Sequence, residues 1–141
     1  MTGIEDFKAG QFAEKTITVT EELVRDFARA TGDYNPIHVD EEYAAKSFFR
    51  GRVAHGLLSG SFIGAMLGTV LPGPGTIYVY QNFRFRAPVF IGETVTVRVE
   101  ISDVNRGSGV VSLKTTVGVD GKTVIDGEAG ILFRPAEEPS P

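Results

Sequence analysis

Between Arg52 and Arg84 the chain contains no lysine, arginine, aspartate or glutamate. A stretch without charge has few faces fit to stand against water, so it constrains the fold more than any other feature. Its helical part, from about Leu57 to Leu71, breaks at "LPGPG" and is shorter than the ~20 residues a bilayer span requires. Gly60, Gly64, Gly68, Ser59 and Ser61 dilute it further. A helix that is apolar or small on every side is expected at the centre of a domain. In 141 residues that means one domain, residues 1–135, built around one helix.

What surrounds the helix is read from Thr76 onward, where the period becomes two. "TIYVYQNFRFRAPV" sets Ile77, Val79, Gln81, Phe83 and Phe85 on one face, and Tyr78, Tyr80, Asn82, Arg84 and Arg86 on the other. "ETVTVRVEI" alternates valine and isoleucine against polar residues. "GVVSLKTTVGV" and "KTVIDGEAGILF" follow, joined by the turn sequences "NRGSG" and "DGK". With the early "KTITVT" this gives about five strands, at least four of them in an antiparallel meander. The class is α+β, a curved sheet wrapping one long helix.

Composition removes several function classes. A formal net charge of −4 with no basic cluster argues against a nucleic-acid partner. The absence of cysteine excludes disulfides and thiolate chemistry and fits a cytoplasmic setting. The N-terminus, "MTGIEDFKAG", has no apolar signal core. No membrane association is expected, and the Pro-rich tail 136–141 is expected to be disordered.

The first half supplies smaller helices. Thr20 can cap a helix carrying Glu21 and Glu22 in its first turn, and Gly32 ends it. Asp40 can cap a short helix through "EEYAAKS". Between them lies "TGDYNPIHVD", a loop on which Asp33 and His38 stand five positions apart. Asp after Gly is ordinary turn chemistry, so the pair alone is weak. It gains weight from "VAHGLLSG", where His55-Gly56 opens the uncharged helix. The free amides of a first helical turn, unobstructed at a glycine, form an anion site. A base beside such a terminus is what enolate chemistry next to a carbonyl needs.

"FARATGDYNPIHVDEEYAA", "GRVAHGLLSG" and "LPGPGTIYVYQNFRFRAPVFIGETV", in this order over nearly the whole chain, resemble the MaoC-like (R)-specific enoyl-CoA hydratases. The resemblance implies a hot-dog fold and a homodimer whose sheets join edge to edge, sometimes assembling further. It implies reversible hydration of a trans-2-enoyl-CoA to the (R)-3-hydroxyacyl-CoA, with Asp33 and His38 as the catalytic pair and the Gly56 amide as oxyanion donor. A carboxylate and an imidazole gripping one water can take its proton and supply one to C2. The acyl-CoA is the substrate, and no cofactor or metal is required; two histidines without cysteine make a poor metal site.

Other candidates for substrate contact are Asn35, His55, Ser59, Ser61, Arg84 and Arg86. His55 suits the shaping of the loop into the helix better than the role of a second base. Some relatives carry a serine one turn further in that supports the aspartate; here that position is Gly64, which leaves Ser59, Ser61 or a water to replace it. Arg84 and Arg86 could meet the CoA phosphates or simply be solvated. Two further readings stay open: dehydration of 3-hydroxyacyl groups on CoA or acyl carrier protein, and a hot-dog protein that binds acyl thioesters without turnover. A hot-dog thioesterase commonly uses a carboxylate on the central helix, and residues 56–71 contain none.

Overall fold

In the computed structural model, which describes residues 3–137, the uncharged segment forms the 14-residue helix α4 (Gly56–Thr69) lying on an antiparallel sheet. Before it come β1 (Phe12–Thr18), α1 (Glu21–Thr31), α2 (Pro36–Val39) and α3 (Glu41–Ala45). After it come β2 (Thr76–Gln81), β3 (Arg84–Phe85), β4 (Thr94–Asn105), β5 (Val110–Val119) and β6 (Lys122–Phe133). The sheet order is β1-β4-β5-β6-β2, with β3 also paired to β6. This is the hot-dog arrangement that the resemblance implied. Among the described residues no helix is long and apolar enough to cross a membrane.

The period-two pattern does its work in β4. Val95, Val97, Val99 and Ile101 are buried, and their partners on β5, Val117 and Leu113 among them, are buried on the same face. Ile63, Met66 and Leu67 of α4 pack into that face and complete the core. The "DGK" turn holds Asp120 at φ 49° and Gly121 at φ 78°, the paired positive angles of a two-residue hairpin. Thr20 caps α1 by accepting from the Leu23 amide, Asp40 caps α3 through Tyr43, and Gly32 ends α1 at φ 80°.

Four expectations are corrected. Only β4, β5 and β6 run as a meander; β2 crosses to the far edge and pairs with β6. The connection from β3 to β4 forms no hairpin because it is engaged elsewhere: Ala54 donates to Val89 and Val53 bridges Phe90. The run read as one strand from Thr76 is two. At its break the Asn82 amide donates to Glu128 O while Asn82 Oδ1 accepts from Glu128 N, a side chain replacing one rung of the ladder.

The faces of that run differ as well. A bulge at Val79 changes the phase, so Tyr78 and Gln81 share the side of the buried Ile131 and Ala129, while Ile77 and Tyr80 face outward with Leu132 and Gly130. Third, α4 is not enclosed on every side: Leu57 is 60% exposed, and Ser61 and Ala65 are exposed too. Fourth, His38 stands on a one-turn helix rather than a loop, since Asn35 caps α2 and Pro36 occupies its first turn. The tail expected over 136–141 lies outside the described residues from 138 onward.

Candidate active site

Residues 52 to 56 run beside α2 and fix it atom by atom. Arg52 Nε donates to the His38 carbonyl at 2.8 Å, and the Val53 amide donates to Ile37 O at 3.3 Å. His38 Nδ1 in turn donates to Val53 O at 2.7 Å. A carbonyl can only accept, so the proton of the neutral ring sits on Nδ1 and Nε2 keeps its lone pair. His55 Nε2 donates to the Asp33 carbonyl at 2.9 Å by the same logic. The two imidazoles stack with centroids 3.9 Å apart at 32°, and Phe27 lies 4.9 Å from the His55 ring.

Asp33 is exposed and His38 half-buried. Its carboxylate Oδ1 accepts from the Asn35 amide at 3.2 Å, while Asn35 Oδ1 caps α2 through Ile37. Asn35 therefore supports Asp33 by turn geometry. One ligand-bearing atom each of Asp33, His38 and His55 lies within 4.8 Å of the others. Two hydrogen bonds of ~2.8 Å reach across such a gap, so one water can bind both the carboxylate and the imidazole. Burial lowers the His38 pKa below the usual imidazole value; the neighbouring His55 lowers it further, and the bond to Val53 and the Asp33 charge oppose them. His38 is thus held as a neutral acceptor.

As metal ligands the same three groups are poorly arranged. Stacked rings aim their in-plane lone pairs side by side rather than at one point, and one nitrogen of each is spent on a carbonyl. The donor set fits proton transfer better than it fits an ion.

A cleft of about 680 Å³ opens over these residues. Asp33, Asn35, His38, His55, Gly56 and Ser59 line it, with Phe48, Phe49, Phe85 and Arg86 among its walls. The Gly56 and Leu57 amides have no hydrogen-bond partner among the described residues, so the first turn of α4 offers free donors to the cleft. A Cβ on Gly56 would stand 2.6 Å from the Phe85 ring, which would have to move to admit it. Among the described residues, buried Ser59 Oγ and His55 Nδ1 have no hydrogen-bond partner.

Two candidates stand elsewhere. Ser61 is exposed, bonds to Leu58 O, and lines a second, 400 Å³ groove with Gly64, Tyr78 and Tyr80. Arg84 lies on β3 opposite Asp126, outside the cleft. Arg86 does line the cleft, but its charge is paired with Asp126 at 3.0 Å. Gly64 belongs to the second groove, where Tyr78 would stand 3.2 Å from an added Cβ. Close packing of Phe83 on Gly60 and of Tyr78 on Gly64 accounts for two glycines of the stripe; Gly68 meets open space. Residues that sequence reasoning missed are Arg52 and its partner Glu21, because a lone arginine before an apolar run gives no local signal of what it grips.

Comparison with known proteins places this geometry among relatives. The model of the MaoC like domain matches residues 6–123. The chain is 48% identical to an (R)-specific enoyl-CoA hydratase of Rhodospirillum rubrum, over 91% of this chain and 89% of that protein. It is 42% identical to a 3-hydroxybutyryl-CoA dehydratase of Methylorubrum extorquens, over 97% of this chain and 87% of the relative. Among solved structures, the unliganded R-hydratase PhaJ1 from Pseudomonas aeruginosa superposes with a TM-score of 0.88 at 40% identity, covering 98% of this chain and 94% of that one.

Proposed function

The chain belongs to the MaoC-like domain family, and from that premise we propose that it is an (R)-specific enoyl-CoA hydratase acting reversibly on trans-2-enoyl-CoA. The observation that carries the reading is the tautomer of His38. With Nδ1 held by Val53, Nε2 keeps its lone pair, and a ring nitrogen of His38 lies within 4.8 Å of an Asp33 carboxylate oxygen, a gap that one water can bridge.

In hydration that water loses a proton as its oxygen bonds to C3, and C2 gains a proton. His38 Nε2 and the Asp33 carboxylate share these duties, one holding the proton that the other step consumes. Attack moves an electron pair through C2 onto the thioester oxygen. The Gly56 amide, at the positive end of α4, is the donor for that charge; losing one such donor elsewhere costs about 3 kcal/mol in barrier. No step asks for a metal or redox cofactor. The reverse reaction, dehydration of a 3-hydroxyacyl-CoA, uses the same groups, and the relative named 3-hydroxybutyryl-CoA dehydratase favours keeping it as the second reading.

The protein acts as a homodimer. The edge strand β2 exposes Ile77, Tyr78, Val79 and Tyr80 beside the uncharged Leu57–Ser61 side of α4, a surface suited to a second copy. Its setting is the cytoplasm. Purified protein is expected to consume crotonyl-CoA. Binding of acyl-CoA without loss of the enoyl thioester at any chain length would favour the binding-only reading.

A further inference from the structure

The side chain of Arg52 is 10% exposed and spends its guanidinium on two elements at once. Nη1 meets Glu21 Oε2 at 2.7 Å and Nη2 donates to Glu21 Oε1 at 3.0 Å, a forked pair at the first residue of α1. Nε donates to the carbonyl of His38 at 2.8 Å. The adjoining Val53 holds Ile37 O and His38 Nδ1. The backbone and the ring of His38 are therefore clamped by consecutive residues, and α1 fixes the clamp.

We infer that Arg52, braced by Glu21, is a positioning residue that sets the His38 imidazole against Asp33. The inference rests on reading Asp33 and His38 as the reacting pair. A planar fork makes three directed bonds at once, which a lysine cannot reproduce. Glu21 and the His38 carbonyl are both needed: the first pins the charge, and the second passes its position to the ring. Without the clamp, α2 is a single capped turn, and one turn is marginal by itself.

The charged and titratable groups facing His38 are Asp33 from the turn after α1, His55 at the head of α4, Arg52 with Glu21, and Arg86 with Asp126 across the cleft. Arg52 opposes protonation of His38. Removing its charge therefore moves the His38 titration upward, and lysine keeps the charge while losing the fork.

The test compares Arg52→Met, Arg52→Lys and Glu21→Gln with Arg25→Met, which removes the other, exposed partner of Glu21. Two readouts are taken on the folded chain: steady-state kinetics with crotonyl-CoA, and the ¹⁵N shifts of the His38 ring against pH. Arg52→Met is expected to lower kcat on the order of 10²-fold with KM nearly unchanged, since misplacement of a reacting group acts on the transition state. Its His38 ring is expected to lose the pure Nδ1–H form and titrate at higher pH. Arg52→Lys should lose kcat without the titration shift, and Arg25→Met should match wild type. An unchanged tautomer and titration in folded Arg52→Met overturns the inference, whatever the kinetics. If Arg52→Met fails to fold, Glu21→Gln decides: a kcat loss with a loosened tautomer supports the clamp, and wild-type behaviour overturns it. If wild-type protein shows no turnover at all, that fails the hydratase reading, and the ring shifts alone decide on Arg52.

Discussion

The carbonyl oxygen of Val53 accepts a hydrogen bond from His38 Nδ1 at 2.7 Å, and this one contact decides which nitrogen of the ring is free for chemistry. It works because residues 52 to 56 lie extended against α2 before turning into α4, so tautomer, ring position and helix terminus are set by one short segment.

If Asp33 and His38 share the reacting water, Asp33→Asn and His38→Gln each remove a proton-transfer partner, a contribution of ~10²–10⁴ in rate. The losses are expected in kcat with the fold intact. The double variant is expected to fall far short of the product of the two losses. Turnover like wild type in either folded single variant would return the segment to ordinary turn chemistry.

The pH dependence has a definite sign. Burial lowers the His38 pKa in the folded protein, so its neutral form persists below the usual imidazole value. The acidic limb of kcat is expected below pH ~6.5, the unperturbed value. Stability linked to His38 is fully present above the unfolded value and is lost as pH falls through the lower folded one, because the unfolded chain binds the proton first. An acidic limb above the ordinary value would mean that another group limits the rate.

Gly127 on β6 is the position least able to accept a side chain. A Cβ there would stand 1.9 Å from the Asn82 carbonyl oxygen, a backbone atom with no freedom to swing away. Gly127→Ala is expected to destabilise by about 3 kcal/mol, the upper end of the usual overpacking cost, read from chemical denaturation. Gly121→Ala strains a positive φ but meets open space, and should cost less. Equal losses would undo the reading that the Asn82 carbonyl leaves no room for a side chain at Gly127.

Light scattering tests the assembly. Val79→Glu places a charge on the exposed bulge of β2, 63% accessible in the single chain. Wild type is expected as a dimer, and the variant is expected to shift toward monomer. A stable wild-type monomer at working concentration would remove the proposed role of β2.

Much of this was legible in residue patterns. The missing charges from Val53 to Phe83 announced the central helix, and the caps at Thr20 and Asp40 follow local rules, whereas the segment that Asn35 caps as α2 reads as a loop in sequence. The pairing of β2 with β6 was not, because pairing is a property of strands distant in sequence and alternation does not say which edge is joined. The bulge at Val79 escaped for a related reason: one extra residue reverses the faces of a strand without altering its composition. Asp33, His38 and Gly56 drew notice as types at a spacing. The Arg52–Glu21 clamp was hidden, since it joins residues 31 positions apart through a guanidinium that sequence shows only as charge.

The stereochemical course of crotonyl-CoA hydration in D₂O tests the central claim most directly. In the proposed mechanism Asp33 and His38, which line the same cleft, share one water, so oxygen at C3 and deuterium at C2 are expected on the same face of the substrate. The expected product is the (3R)-alcohol with syn-placed deuterium, formed at full rate after chelation. Anti addition or dependence on a removable metal would contradict the shared-water site, and an (S)-alcohol would contradict the proposed (R)-specificity.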